Sequence, residues 1–365
     1  VTGKILHFQL SGVILWVCTL YIQCSQPYFD NIQHKFLRRQ LKSKIHLNDI
    51  QKLIQVELEK HNRQLLKGFE SDESYIAEIG NHIVKAGGKK LRPTVTILLG
   101  NAVGLDAEQV ILLASIIEMI HIASLLHDDV IDHSMQRRGV GTSNAIWGNA
   151  AAVLAGDYIY SKSFESMIAL DNIDVMRRIS YTTSTISEGE IAQLHKVDNQ
   201  TFDTESHLTI LYKKTAILFE TAAYCVALLK DNNPQQIANL VAFGRNFGLA
   251  FQIVDDILDY SGQSSHTGKA VGNDLKEGKV TLPLIMAYQS NDSTIQSQIK
   301  KALQSSNPDF DAILQILKTT NALKASQKMS LDFANRARVC IDQLPPSSYT
   351  EALHQLVDFC IDRQF

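Results

Sequence analysis

Apolar residues recur at three- and four-residue spacing along almost the whole chain after about residue 45, and convincing two-residue alternation is scarce. The pattern predicts helix after helix in one all-α domain, a helical bundle around a central, ligand-filled cavity. Asn48 with Gln51 and Asp106 with Gln109 are the expected N-cap pairs, and Ser71 is placed to cap a third start. Asp106 should open a long helix through Asp132, in which Ile117, His121, Ser124 and Asp128 share one face while Ile111, Leu112, Ile116, Met119 and Leu126 read as core or subunit interface. Breaks are expected at Gly87-Gly88, 198–204, Asn232-Asn233-Pro234, 261–273, 305–308 and Pro345-Pro346. The stretch 262–268 reads equally as a mobile lid or as a solvated loop.

Two aspartate clusters of identical form interrupt this apolar pattern: Asp128-Asp129-Val130-Ile131-Asp132 and Asp255-Asp256-Ile257-Leu258-Asp259. Helical residues four apart lie on one face, so Asp128 projects with Asp132 and Asp255 with Asp259. Carboxylates converging in an apolar setting need a cationic partner. Mg²⁺ suits them, being usually held by one or two carboxylates, waters and phosphate oxygens. The cations a diphosphate needs follow in short motifs: Gly87-Gly88-Lys89-Lys90-Leu91-Arg92-Pro93, Arg137-Arg138-Gly139, Lys213-Lys214-Thr215, Gly268-Lys269 and Asp274-Leu275-Lys276-Glu277-Gly278-Lys279-Val280-Thr281-Leu282-Pro283. Arginine offers phosphate a planar fork and lysine a point charge.

With Glu118-Met119-Ile120-His121, Trp147-Gly148-Asn149, Ala155-Gly156-Asp157-Tyr158, Gly189-Glu190 with Gln193, and Phe251-Gln252, these motifs give the chain from about Asn48 onward a specific resemblance to the trans-isoprenyl diphosphate synthases. Within them it is similar to the long-chain polyprenyl type, the octaprenyl, solanesyl and decaprenyl synthases and their catalytic subunits. Lys90 stands where many members carry Arg. The resemblance implies the isoprenoid synthase fold and a Mg²⁺-dependent prenyltransferase, with two or three ions. It makes Asp128, Asp132 and Asp255 metal ligands, supported by Asp129, Asp256 and Asp259. Arg137, Lys214 with Thr215, and Lys269 would hold the allylic diphosphate. Lys89, Arg92, His121 and Arg138 would hold isopentenyl diphosphate, with Gln252 and Lys279 near both. His121 lies seven residues before Asp128, on nearly the same face.

Ala123 and Ser124, five and four residues before the first aspartate, bear on product length. Family members with bulky aromatics there close the pocket at short products; two small residues imply an open pocket and a chain of roughly C40 to C50, since each helical turn rises about 5.4 Å, near one isoprene unit. A quinone side chain, as in ubiquinone, is the expected use. The alternatives are a farnesyl or geranylgeranyl synthase, a terpene cyclase, and a non-catalytic partner subunit.

Composition narrows the setting. Apolar residues are 45% and charged residues 20%, enough for a sizeable core, and a net charge of −3 argues against a nucleic-acid partner. Five dispersed cysteines (Cys18, Cys24, Cys225, Cys340, Cys360) show no zinc or CxxC spacing. The expected partners are a second copy or a second synthase-like subunit, with a membrane surface taking up product. Residues 1–45 stand apart from a catalytic domain at 46–365: an apolar stretch from Val13 to Ile22 precedes basic residues at Lys35, Arg38, Arg39, Lys42 and Lys44. That segment reads as mitochondrial targeting or non-core sequence, with the cytoplasm as the alternative location.

Overall fold

Asp106 sets the start of the helix that carries the first aspartate cluster. Its carboxylate accepts hydrogen bonds from the backbone N–H of Glu108 at 2.9 Å and of Gln109 at 3.1 Å, satisfying two donors that a helix start leaves unpaired. The helix runs Ala107–Ile131 and ends at Asp132, as its apolar pattern predicts. The computed structural model describes residues 46–362 apart from Arg138, Asn232 and 261–271. The expectations for residues 1–45, Arg138, Lys269 and the loop 262–268 therefore lie outside the described residues.

Among the described residues four helices lead up to this one: α1 (Leu47–Lys52), α2 (Gln55–Lys67), α3 (Ser74–Ala86) and α4 (Leu91–Ala102). The aspartate helix is α5. A small antiparallel hairpin follows, β1 (Gln136–Arg137) against β2 (Val140–Gly141), then α6 (Ser143–Trp147), α7 (Asn149–Ile168) and α8 (Ile173–Asn199). Next, α9 (Thr204–Leu211) passes through a π-helical turn, Tyr212–Ala216, into α10 (Ile217–Leu229). The second cluster ends α11 (Pro234–Leu258), and α12 (Asn273–Lys276), α13 (Leu282–Tyr288), α14 (Ser293–Leu303), α15 (Phe310–Thr319), α16 (Ala322–Ile341) and α17 (Ser348–Asp362) complete the chain.

The all-α expectation holds among the described residues, and the expected breaks at Gly87-Gly88, 198–204, Asn233-Pro234, 305–308 and Pro345-Pro346 are found there, while that at 261–273 falls mostly outside them. Two expected caps differ. Helix α1 already begins at Leu47, so Asn48 lies inside it, and the Gln51 amide instead donates to the Lys89 carbonyl and to Thr94 Oγ1, both at 2.9 Å. Ser71 accepts from the Glu73 N–H at 3.2 Å, in the turn before α3 rather than at its cap. The hairpin went unforeseen because four paired residues are too few to leave an alternating pattern.

Helix α10 is the strut of the bundle. From Ile217 to Phe219 and on through Ala222, Ala223, Val226 and Ala227 it is buried, packed by α4, α5, α8 and α11. Helix α11 approaches it closely through two glycines one turn apart. A Cβ on Gly244 would stand 2.5 Å from the Phe219 carbonyl oxygen and 2.6 Å from Glu220 Cα; one on Gly248 would stand 2.5 Å from Ala216 Cα. Those obstacles are backbone and cannot rotate away.

Glu220, 2% exposed, is where the strut meets the π-helical turn. Its carboxylate takes Arg178 of α8 at 2.6 Å, Arg245 of α11 at 2.6 Å and the Tyr212 hydroxyl at 3.0 Å. Arg178 Nε also donates to Thr221 Oγ1 at 3.1 Å. Three helices, and through Tyr212 the start of the bulge two residues before Lys214, are thus tied to one buried carboxylate.

Two outcomes follow. Gly244→Ala should cost about 1–3 kcal/mol by forcing α10 and α11 apart, read as a lower melting temperature. Glu220→Ala should cost more, about 3–5 kcal/mol, because it leaves two guanidinium groups beside a carboxylate that is gone. Chemical denaturation of both variants measures the order.

Candidate active site

Both aspartate clusters sit at the C-terminal ends of their helices, where the exposed carbonyls of the last turn already place negative partial charge. The two ends face one another across a cavity of about 710 Å³. Its wall is built from the Gly88–Arg92 corner, α5, α8, the α9–α10 bulge, α11 and the Lys279–Thr281 loop. Asp128, Asp132, Asp255, Asp256 and Asp259 all line it, together with Lys89, Arg92, His121, Ser124, Arg137, Lys214, Thr215, Gln252 and Lys279.

Burial and the neighbouring Glu190, with Asp132 adding to them, push the Asp128 carboxyl up to about 7, although Lys214 and Arg137 pull the other way. Negative charge there is under-compensated by the protein alone. The donors are oxygens, matched to a hard divalent cation, and among the described residues no three His, Cys, Asp or Glu side chains form a ready-made cage. Such a site fits a cation that arrives with substrate oxygens and keeps water.

The cations of the wall are mostly held by carboxylates. Lys214 pairs with Glu190 at 2.6 Å. Lys279 reaches Asp132 at 3.0 Å and Glu277 at 2.6 Å; burial opposes its charge, but these carboxylates and Asp274 outweigh it and raise its pKa above the ordinary lysine value. Arg137 grips Asp129, with Nε at 3.1 and 3.2 Å from its two oxygens and Nη2 at 2.7 Å.

Asp129 therefore differs from the expected metal support. It is absent from the lining of the large cavity and buried on the hairpin side, where its carboxylate fixes Arg137 and its carbonyl accepts from Asn144 at 3.1 Å. Asp256 and Asp259 are engaged too. Asp256 accepts from His207 at 3.0 Å and from Gln252 at 3.2 Å, while Gln252 Oε1 takes the Thr215 hydroxyl at 2.8 Å. Asp259 accepts the backbone N–H groups of Asn273 and Asp274, both at 3.1 Å, and so caps α12.

At the other end, an Arg92 Nη1–H donates to His121 Nε2 at 3.0 Å, which requires the imidazole to be neutral at that nitrogen. The guanidinium also lies over the Phe219 ring, 4.9 Å from its centroid, so the α10 strut orients it. Arg92, His121 and Lys89 are thus gathered along the cavity lining.

Ser124 and Ala123 part company. Ser124 lines the cavity and returns its hydroxyl to the His121 carbonyl at 2.8 Å. Ala123 is 2% exposed and packs with Met119, Leu126 and Ile159 in the seam between α5 and α7. Neighbouring residues on a helix point about 100° apart, so the two cannot share a wall. A smaller hollow of about 90 Å³ adjoins, lined by Ile83, Val84, Leu125 and Leu126 beside the Asp129–Arg137 pair.

Two polar lining residues carried no motif in the sequence: His207 and Lys196. Helical spacing alone was available as a signal, since Glu190, Gln193 and Lys196 fall on one face of α8.

Known proteins share this fold and much of this sequence. The polyprenyl synthetase family model matches residues 73–320. The octaprenyl diphosphate synthase of Escherichia coli (strain K12) is 36% identical over 321 residues, covering 87% of this chain and 99% of that protein. The crystal structure of a polyprenyl synthase from Caulobacter crescentus CB15, complexed with calcium and isoprenyl diphosphate, superposes with a TM-score of 0.84 at 31% identity, covering 89% of this chain and all of that one. A decaprenyl diphosphate synthase from Rhodobacter capsulatus gives 0.83 at 31%, covering 88% of this chain and 100% of that one. Two facing aspartate-ended helices, a cation-lined cavity and full-length likeness to these enzymes agree: the chain belongs to the polyprenyl synthetase family and is a prenyltransferase of the polyprenyl diphosphate synthase kind.

Proposed function

We propose that the enzyme adds isopentenyl diphosphate repeatedly to an allylic diphosphate and releases an all-trans product of roughly C40 to C50, because the wall one turn, about 5.4 Å, below Asp128 is made by a side chain no larger than serine. Ser124 on the cavity wall is the observation that carries the length. The octaprenyl and decaprenyl synthases among its relatives support it.

Asp128, Asp132 and Asp255 would hold Mg²⁺, which when bound offsets the charge gathering on a departing diphosphate. Lys214 and Arg137 hold the allylic diphosphate from opposite walls. Lys89, Arg92 and His121 hold isopentenyl diphosphate, with Phe219 beneath the guanidinium keeping it aimed. Lys279, tied to Asp132, keeps that carboxylate at the mouth of the cavity. Leu125, Val197, Ile210, Leu211 and Phe251 line the remainder and exclude the water that would trap an allylic cation. Among the described residues no lining side chain is placed as an obvious general base, and the departing diphosphate would take up the proton that is lost.

The catalytic domain is assigned to 46–365 and residues 1–45 to mitochondrial targeting, on the basic residues between 35 and 44. Val153, Leu154 and Ile168 of α7 and Ile173, Ile191 and Leu194 of α8 are exposed apolar residues, which supports a second synthase-like subunit on that side. A quinone side chain is the assigned use of the product.

Asp128→Ala and Asp255→Ala should each lower turnover by at least about a hundredfold with the fold retained, and excess chelator should abolish activity. Near-normal turnover in either variant, measured with labelled isopentenyl diphosphate, sinks the metal assignment. Ser124→Phe should shorten the product while sparing the first condensation; overpacking would cost about 1–3 kcal/mol, so melting temperature is recorded beside the product profile. An unchanged long-chain profile from a stably folded variant would remove the basis for the proposed length.

A further inference from the structure

Lys196 stands apart from the other cations of the cavity. It lies in the last turn of α8, on the face that carries Glu190 and Gln193, and it lines the cavity beside Val197 and His207. The residue is only 5% exposed, yet its Nζ has no hydrogen-bond partner. Lys214, Lys279 and Arg137 each have a carboxylate in contact; Lys196 has none among the described residues.

A buried ammonium without an acceptor is costly, and a protein relieves it by neutralising the group or by supplying an anion. Burial does draw the Lys196 pKa down to about 8, with Asp203 and Asp256 opposing the change. Its place at the C-terminal end of α8 offsets a further part, because the helix dipole favours a cation there. Neither gives its three N–H groups an acceptor. Asp256, the cavity carboxylate acting on it, already accepts from His207, Gln252 and the Leu282 N–H. What remains is an anion entering the cavity.

We infer that Lys196 is a further diphosphate-binding residue, donating from Nζ to an oxygen of the allylic diphosphate on the side of the second aspartate cluster. The inference rests on reading this cavity as the diphosphate site. It is assigned to the allylic rather than the isopentenyl diphosphate because the groups acting on Lys196 belong to the α9–α11 side, whereas Lys89, Arg92 and His121 stand on the α4–α5 wall.

The test is calorimetric titration of the Mg²⁺-loaded enzyme with inorganic diphosphate, alongside steady-state kinetics with farnesyl diphosphate as primer. Loss of one charge-assisted hydrogen bond in Lys196→Met should weaken diphosphate binding about tenfold or more and raise KM for farnesyl diphosphate by a similar factor. KM for isopentenyl diphosphate should not move, the ligand-free melting temperature should hold or rise, and Lys196→Arg should recover part of the affinity. Lys196→Gln takes its place should the Met variant fold poorly. Unchanged diphosphate affinity and unchanged primer KM in a folded variant overturn the inference while leaving the cavity reading intact. Failure of the wild-type enzyme to bind diphosphate would overturn both.

Discussion

Mutual repulsion among carboxylates gathered at two helix C-termini is the constraint on which the rest of this structure depends. Asp128 and Asp132 on α5, and Asp255, Asp256 and Asp259 on α11, lie where the helix dipoles are negative as well. Without compensation they would drive the two helix ends apart or take up protons, and Asp128, held near 7, has gone part of that way. The fold answers with cations from elsewhere: Lys279 against Asp132, and Lys214 held beside Asp128 by Glu190. Each of these cations is drawn in from a different part of the chain, so the ion pairs also tie the first helix end to the frame around it.

Holding those charges apart across a cavity requires a stiff frame. The α10 strut, with α11 pressed to its backbone at Gly244 and Gly248, fixes the direction of the second aspartate helix. At its start the chain widens into a π-helical turn, and Glu220 ties Tyr212, Arg178 and Arg245 around it. A π-turn adds a residue to the helical repeat and so redirects the side chains within it. Here those are Lys213, which meets Glu188 at 2.8 Å, and Lys214, which meets Glu190. Because Glu188 and Glu190 project from different sides of α8, two adjacent lysines are committed to different environments.

What the sequence made legible was local. The bounds of α5 could be read because Asp106 caps it, and the facing of Asp128 with Asp132 because helical spacing enforces it. The hidden features arise from contacts distant in sequence. Nothing near Asp129 tells that the hairpin turns Arg137 back onto it, though Asp128 beside it looks the same in the sequence. Gln51 resembles a capping residue until the Gly88–Arg92 corner arrives beside it. Lys196 reads as an ordinary lysine near a helix end, and nothing local in the sequence shows that the fold buries it.

The same limit separates Ser124 from Ala123 as proposed determinants of product length. Both are small, and both precede the first aspartate by about one turn, yet the 100° between successive helical residues sends one to the cavity and the other to α7. Bulk at Ser124 enters the space in which the tail grows. Bulk at Ala123 presses first on Ile159 and Met119, and its effect on the tail must pass through a displacement of α5. A shortening produced at that position would therefore come with a loss of stability, whereas one produced at Ser124 need not, because a cavity wall can accept volume that a close-packed seam cannot.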